Sequence, residues 1–126
     1  MFKDLNNDYR LKIAFDFDDT LTNPAILDLA RHLIRCRHDV WIMTARTSDE
    51  QYLEICREMN LDPSLTERNA DLLAVAGELG IADKIIYTDC EDKITFFFDS
   101  KFDLLFDDSE WHCNAICEAE GMAIKV

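Results

Sequence analysis

Two hydrophobic rhythms alternate along this chain: short apolar runs that end in acid or threonine, and longer stretches whose apolar residues recur every three or four positions. Leu11 to Phe17 reads as a buried strand running into acid. Asn23-Pro24 then supplies an N-cap and an N1 proline for a helix to about Cys36, with Ile26, Ala30 and Leu33 as its inner stripe. Asp39 to Thr44 is a second apolar run, followed by the capping box Ser48-x-x-Gln51 and a helix on which Tyr52, Ile55, Cys56 and Met59 are expected to face inward. Asp62-Pro63 breaks the chain, Ser64-x-x-Glu67 caps a further helix, and Leu72, Val75, Ala76 and Leu79 carry its apolar face before Gly80 stops it. Lys84 to Thr88, Leu104 to Phe106 and Met122 to Val126 read as strands, with a helix from about Ser109 to Glu120 before the last. Asp92 to Ser100 alternates Ile94, Phe96 and Phe98 as a strand would, yet a crossover between parallel strands needs a helix there, and helix is the expectation. The whole pattern predicts a three-layer, Rossmann-like α/β domain: a central, mostly parallel five-stranded sheet with helices on both faces.

Length and composition narrow this picture. The 126 residues fit a single domain, and a hydrophobic share of 48% with a charged share of 31% is globular composition. No apolar run approaches the roughly 18 to 20 residues that cross a bilayer, so no membrane span is expected. Thirteen Lys and Arg against 26 Asp and Glu give a net charge of -13, a field that repels a polyphosphate strand and argues against nonspecific nucleic-acid binding. The start, Met1 to Asp8, lacks a basic segment followed by an apolar one, so a cytoplasmic location is expected. Five cysteines without a C-x-x-C pair fit reduced thiols acting as small hydrophobes. His112, Cys113 and Cys117 offer too few ligands for tetrahedral zinc and are expected to serve helix packing.

In open α/β sheets the functional groups gather beyond the carboxyl ends of the strands. That edge receives Asp16-Phe17-Asp18-Asp19-Thr20 from strand one, Thr44-Ala45-Arg46 from strand two, Lys93 just after strand three, and Asp107-Asp108 from strand four. Carboxylates gathered this closely repel one another unless a cation shares them. All-oxygen ligation suits Mg²⁺, which keeps several waters and completes its shell from a phosphate, so a phosphate-bearing substrate is expected.

Ile13 to Leu21, an apolar strand running into D-x-D-x-T-L, resembles the first motif of the haloacid dehalogenase superfamily of phosphatases. Val40 to Thr44 resembles the second motif, and Leu104 to Asp108 the paired-aspartate form of the fourth. The resemblance runs from about residue 11 to 110. The third motif is a single lysine. Lys84 and Lys101 fall at the amino edge of the sheet, which leaves Lys93.

The resemblance implies that Asp16 attacks phosphorus to give an aspartyl-phosphate while Asp18 protonates the leaving oxygen and later activates water. It implies Mg²⁺ ligation by Asp16, by the backbone carbonyl of Asp18 and by Asp107, with Asp108 acting through a water or through another ligand. Thr44 and Lys93 would hold the phosphoryl group, and Arg46 would contact substrate. Members of the superfamily often carry a cap domain, but 23 residues between Leu21 and Ala45 leave no room for one, and Arg46 to Asp92 holds a crossover helix plus one extra. A small capless type with an open site is implied, open to a large phosphate carrier or to closure by a neighbouring subunit. The acidic charge favours a small soluble phosphomonoester such as a nucleotide, the alternative being a 3'-phosphate on a nucleic-acid end. A receiver domain is a rival reading, but it would want an acidic pair after strand one, its phosphoacceptor after strand three and a final helix, and the order here differs. A catalytically silent phosphate-binding relative is a second rival, against which both motif-one aspartates argue.

Overall fold

Side-chain alternation along the strands decides the layers. The structure is a computed structural model that describes residues 10–63 and 68–126. Its elements run β1 (Lys12–Phe15), α1 (Pro24–Arg35), β2 (Asp39–Thr44), α2 (Asp49–Glu58), α3 (Ala70–Leu79), β3 (Ile85–Tyr87), α4 (Lys93–Asp99), β4 (Leu104–Asp107), α5 (Glu110–Glu118) and β5 (Ala123–Lys125). The five strands pair in the order β3-β2-β1-β4-β5, every neighbour parallel. Successive side chains of a strand point to opposite faces. Ile13 and Phe15 of β1, Val40 and Ile42 of β2 and Phe106 of β4 therefore share one face with Ala30 of α1 and Leu72, Ala76 and Leu79 of α3. Ala14, Met43 and Leu105 point the other way, against Phe97 of α4 and Ile116 of α5. This is the three-layer α/β architecture that the pattern predicts.

The ambiguous segment after β3 is a helix. Lys93 and Phe97, four residues apart, form its buried stripe, while Phe98 is left largely exposed. The first helix is capped as its sequence promises: the Asn23 side chain accepts from the Ala25 N–H at 3.0 Å ahead of Pro24. Gly80 closes α3 with φ of 75°, a left-handed conformation that glycine adopts without cost. The Ser64-x-x-Glu67 box lies outside the described residues, and α3 itself begins at Ala70, behind Asn69. Among the described residues no helix is long and apolar enough to cross a membrane.

Two expectations need correcting. Of the four residues expected to face inward on α2, Cys56 alone is buried, whereas Ile55 and Met59 are exposed and Tyr52 is half-buried. The reason is topological: α1 and α3 already cover that face of the sheet, so α2 stands outside the layer, and no described α2 residue joins either core. The cysteines are free thiols, but Cys36, Cys90 and Cys117 are exposed and only Cys56 and Cys113 pack as small hydrophobes. Cys36 caps α1 and Cys90 sits in a left-handed turn, both places where the backbone leaves the core.

The contrast between α4 and α2 is measurable. Phe97→Ala is expected to cost about 3 to 5 kcal/mol of unfolding free energy, the usual range for a buried aromatic. Met59→Ala should cost under about 0.5 kcal/mol. Equal shifts of the two urea midpoints would contradict the placement of α2.

Candidate active site

The chain leaves β1 toward α1 on one face of the sheet and leaves β4 toward α5 on the other. Neighbouring parallel strands whose connections diverge open a crevice at their carboxyl ends. Here that crevice encloses about 210 Å³ and is lined by Asp16, Asp18, Asp19, Ala45, Lys93, Asp107, Asp108, Ser109 and His112. Two larger hollows, about 330 and 300 Å³, lie elsewhere. The first is bordered by Ser48, Asp49, Asp83 and Tyr87, the second by Leu53, Cys56, Leu61 and Pro63. Neither holds a buried charged pair, so chemistry rather than size selects the crevice.

Its floor is a buried charge cluster. The Lys93 ammonium donates at 2.7 Å to Asp16 Oδ1 and at 2.7 Å to Asp107 Oδ2, and all three residues are nearly inaccessible. The remaining oxygens are also met: Asp16 Oδ2 accepts from the Thr20 hydroxyl at 3.1 Å, and Asp107 Oδ1 from the Ser109 N–H at 3.0 Å. Buried charges persist only when paired and hydrogen-bonded in this way.

Local backbone geometry delivers each group. The Asp16 N–H bonds the Phe106 carbonyl at 2.9 Å, extending the β1–β4 ladder to Asp16. The chain then winds through one wide turn, with Asp19 at φ 61°, which returns the Thr20 hydroxyl to Asp16. After β3, Asp89 and Cys90 take consecutive left-handed conformations, φ 53° and 63°. Such a conformation costs a non-glycine residue about 1 kcal/mol or more. Bonds from their N–H groups to the Arg46 and Ala45 carbonyls hold this turn, and the Thr47 hydroxyl bonds the Asp89 carboxylate. Lys93 follows as the first residue of α4 and is aimed back under the crevice. The structure thus brings Asp16, Lys93 and Asp107 into direct contact.

Oxygens of Asp16, Asp107 and Asp108 lie within 4.8 Å of one another. Three carboxyl groups gather here around one ammonium, so acidic groups outnumber the cation that meets them. Burial pushes the Asp16 carboxyl well above its ordinary value; the Lys93 ammonium opposes this and the Asp107 carboxylate reinforces it. A hard cation among these oxygens would act against that rise. The donor set, all oxygen and mostly carboxylate, fits Mg²⁺.

Other expected site residues have different surroundings. Both oxygens of Asp18 accept from Arg46, at 3.0 Å from Nε and 2.7 Å from Nη2. Arg46 also donates to both oxygens of Asp71, at 2.7 and 3.0 Å, and lies 4.9 Å from the Phe17 ring centre. Its guanidinium is therefore engaged between two carboxylates rather than free in the crevice. Thr44 is fully buried, and its hydroxyl accepts from the Arg46 N–H at 3.2 Å. Asp108 lines the crevice wall.

The structure adds four residues to the surroundings of the expected ones. Thr20 was legible from its spacing, four residues after Asp16. Asp71 and Asn69, whose amide spans the Thr47 carbonyl and the Asp49 carboxylate, carry no local signal linking them to Arg46. His112 was read as helix packing, but it lines the crevice. Of its companions, Cys113 is buried against the Asp107 carbonyl and Cys117 is exposed. Burial, and then the nearby Lys93 charge, lower the His112 pKa.

Neither protein-family models nor curated proteins give a match to this chain, and the geometry is the basis of the functional reading.

Two measurements test this arrangement. Arg46 holds the Asp71 carboxyl down, to about 2 from 3.8, so its carbon-13 titration in Arg46→Ala should move back up toward the ordinary value. A depressed carboxyl adds stability above about pH 4 that fades as pH falls through about 2; the Asp71 side chain is mostly exposed, so the contribution is small. Lys93→Met, by contrast, strands two buried carboxylates and should destabilise the fold by about 3 to 5 kcal/mol at neutral pH. An unchanged melting temperature for that variant would contradict the buried cluster.

Proposed function

We propose that this protein is a Mg²⁺-dependent phosphomonoesterase of the haloacid dehalogenase type, acting through an aspartyl-phosphate on Asp16. The observation that supports the reading best is the floor of the crevice. Groups from two strand ends and a helix start, Asp16, Asp107 and Lys93, meet in direct hydrogen bonds, and Asp108 lies close beside them. An ordinary helix-capping acid needs no buried ammonium and no second carboxylate.

The chemistry follows from the residues. Asp16 Oδ attacks phosphorus, the bond from phosphorus to the ester oxygen breaks, and the leaving oxygen takes a proton from Asp18. Water then attacks the aspartyl-phosphate with Asp18 as base, releasing inorganic phosphate and restoring Asp16. Lys93 opposes the burial that favours protonation of Asp16 and offsets charge on the transferring group, which is most of what phosphoryl transfer asks of a protein. Asp16, Asp107 and the Asp18 carbonyl would hold Mg²⁺, with Asp108 beside them; when bound, the ion supplies charge neutralisation for the phosphoryl oxygens.

Asp18 enters this scheme paired to Arg46, so proton transfer requires that one of its oxygens exchange that partner for the ester oxygen. The guanidinium stays anchored by Asp71 meanwhile, which makes Arg46 a swivel for the acid. The net charge of -13 favours a small soluble phosphomonoester over a nucleic-acid end.

The test is hydrolysis of nucleotides, sugar phosphates and an aryl phosphate with and without Mg²⁺. Asp16→Asn should lower the Mg²⁺-dependent rate by about a thousandfold or more, as expected for a lost nucleophile. Asp18→Asn should lower it by about a hundredfold to ten-thousandfold, the usual range for general acid–base catalysis. Equal rates for Asp16→Asn and the parent protein would sink the assignment.

A further inference from the structure

The crevice has a buried floor and a more accessible rim. Asp16, Lys93 and Asp107 make the floor, whereas Asp18, Asp19, Asp108, Ser109 and His112 are exposed or half-buried around it. A phosphoryl group attacked by Asp16 lies on the floor, so the rest of the substrate leaves through the rim. Three of these five polar side chains are carboxylates, and both oxygens of Asp18 are occupied by Arg46. The Ser109 hydroxyl accepts from the His112 backbone N–H at 3.3 Å.

His112 is the one ring at this rim. Neither of its ring nitrogens has a hydrogen-bond partner among the described residues. Nδ1 is enclosed and unpartnered, whereas Nε2 is not enclosed. A proton on Nδ1 would be a buried N–H without an acceptor, the costlier arrangement. The neutral ring therefore carries its proton on Nε2, a tautomer assigned by this argument. The Trp111 ring packs edge-on against it at 5.2 Å and 76°, and the Ser109 cap holds the backbone N–H. His112 thus presents one N–H donor to whatever crosses the rim, beside carboxylates that repel anions.

We propose that His112 contacts the leaving group, donating from Nε2 to one of its oxygens beyond the ester, and so selects phosphate monoesters of neutral, oxygen-rich alcohols such as sugars and nucleosides. The inference rests on the phosphatase reading above and adds to it the residue that reads the alcohol.

The experiment compares AMP and glucose phosphate with phenyl phosphate, whose leaving group has no oxygen beyond the ester. His112→Phe should lower kcat/KM for the first two about tenfold, mainly through KM, and leave phenyl phosphate within about twofold, the scale of one lost hydrogen bond. His112→Gln, which keeps an N–H donor, should recover most of the loss. On the Asp16→Asn background, calorimetry should show AMP binding about tenfold weaker with His112→Phe and inorganic phosphate binding unchanged. Equal losses on all three esters, or no loss on AMP and glucose phosphate, would overturn the proposal. If His112→Phe is silent in an enzyme that Asp16→Asn inactivates, this inference alone fails. If Asp16→Asn leaves hydrolysis intact, the phosphatase reading fails and takes this inference with it.

Discussion

One buried ammonium organises this molecule's functional edge. Lys93 bonds Asp16 at the end of β1 and Asp107 at the end of β4, and a charge of that size leaves water only where opposite charges meet it at hydrogen-bond distance. Without it, two carboxylates would stand side by side in a nearly dry pocket. With it, the carboxyl ends of β1 and β4 and the first turn of α4 are tied at a single point. The balance is incomplete, because Asp108 brings a third carboxylate into range. The same buried contacts that hold the fold together here are the ones the proposed chemistry of the crevice would use.

Much of this was legible in the chain. The three layers followed from strands that alternate and helices that carry apolar stripes, and the α4 segment was resolved correctly by topology against its own two-residue rhythm. Lys93 was chosen over Lys84 and Lys101 by position alone. Lys84 does lie at the opposite edge, where it bonds Asp39 at 2.8 Å. The α2 helix misled because its apolar residues have helical spacing yet meet no sheet, and periodicity cannot say whether a face is already covered. Asp71 and Asn69 were invisible for a related reason: a pairing across 25 or 23 positions leaves no trace in local pattern. His112 lines the crevice from a half-buried helix position, which a count of metal ligands does not reveal.

The engagement of Asp18 by Arg46 shows how an acid group can be kept in position without being buried. A guanidinium that spans two carboxylates and rests against the Phe17 ring has few ways to move. The acid is thereby held near the crevice mouth while its partner remains anchored to α3. The connection passes through Asn69, which joins the α3 entrance to the loop after β2. A crossover helix on one face of the sheet is thus mechanically coupled to a carboxylate at its edge.

The cluster also bears on how the chain folds. Asp16 and Lys93 are separated by 77 positions, and the contacts that join them close only when the central strands have paired in register. No fragment ending before α4 can assemble the pocket, so long-range closure precedes any affinity for a small ligand. Whatever occupies the pocket then binds the native state and not the unfolded chain, and mass action turns occupancy into added resistance to heat. The melting curve of this protein is therefore a gauge of what fills its crevice, readable without turnover.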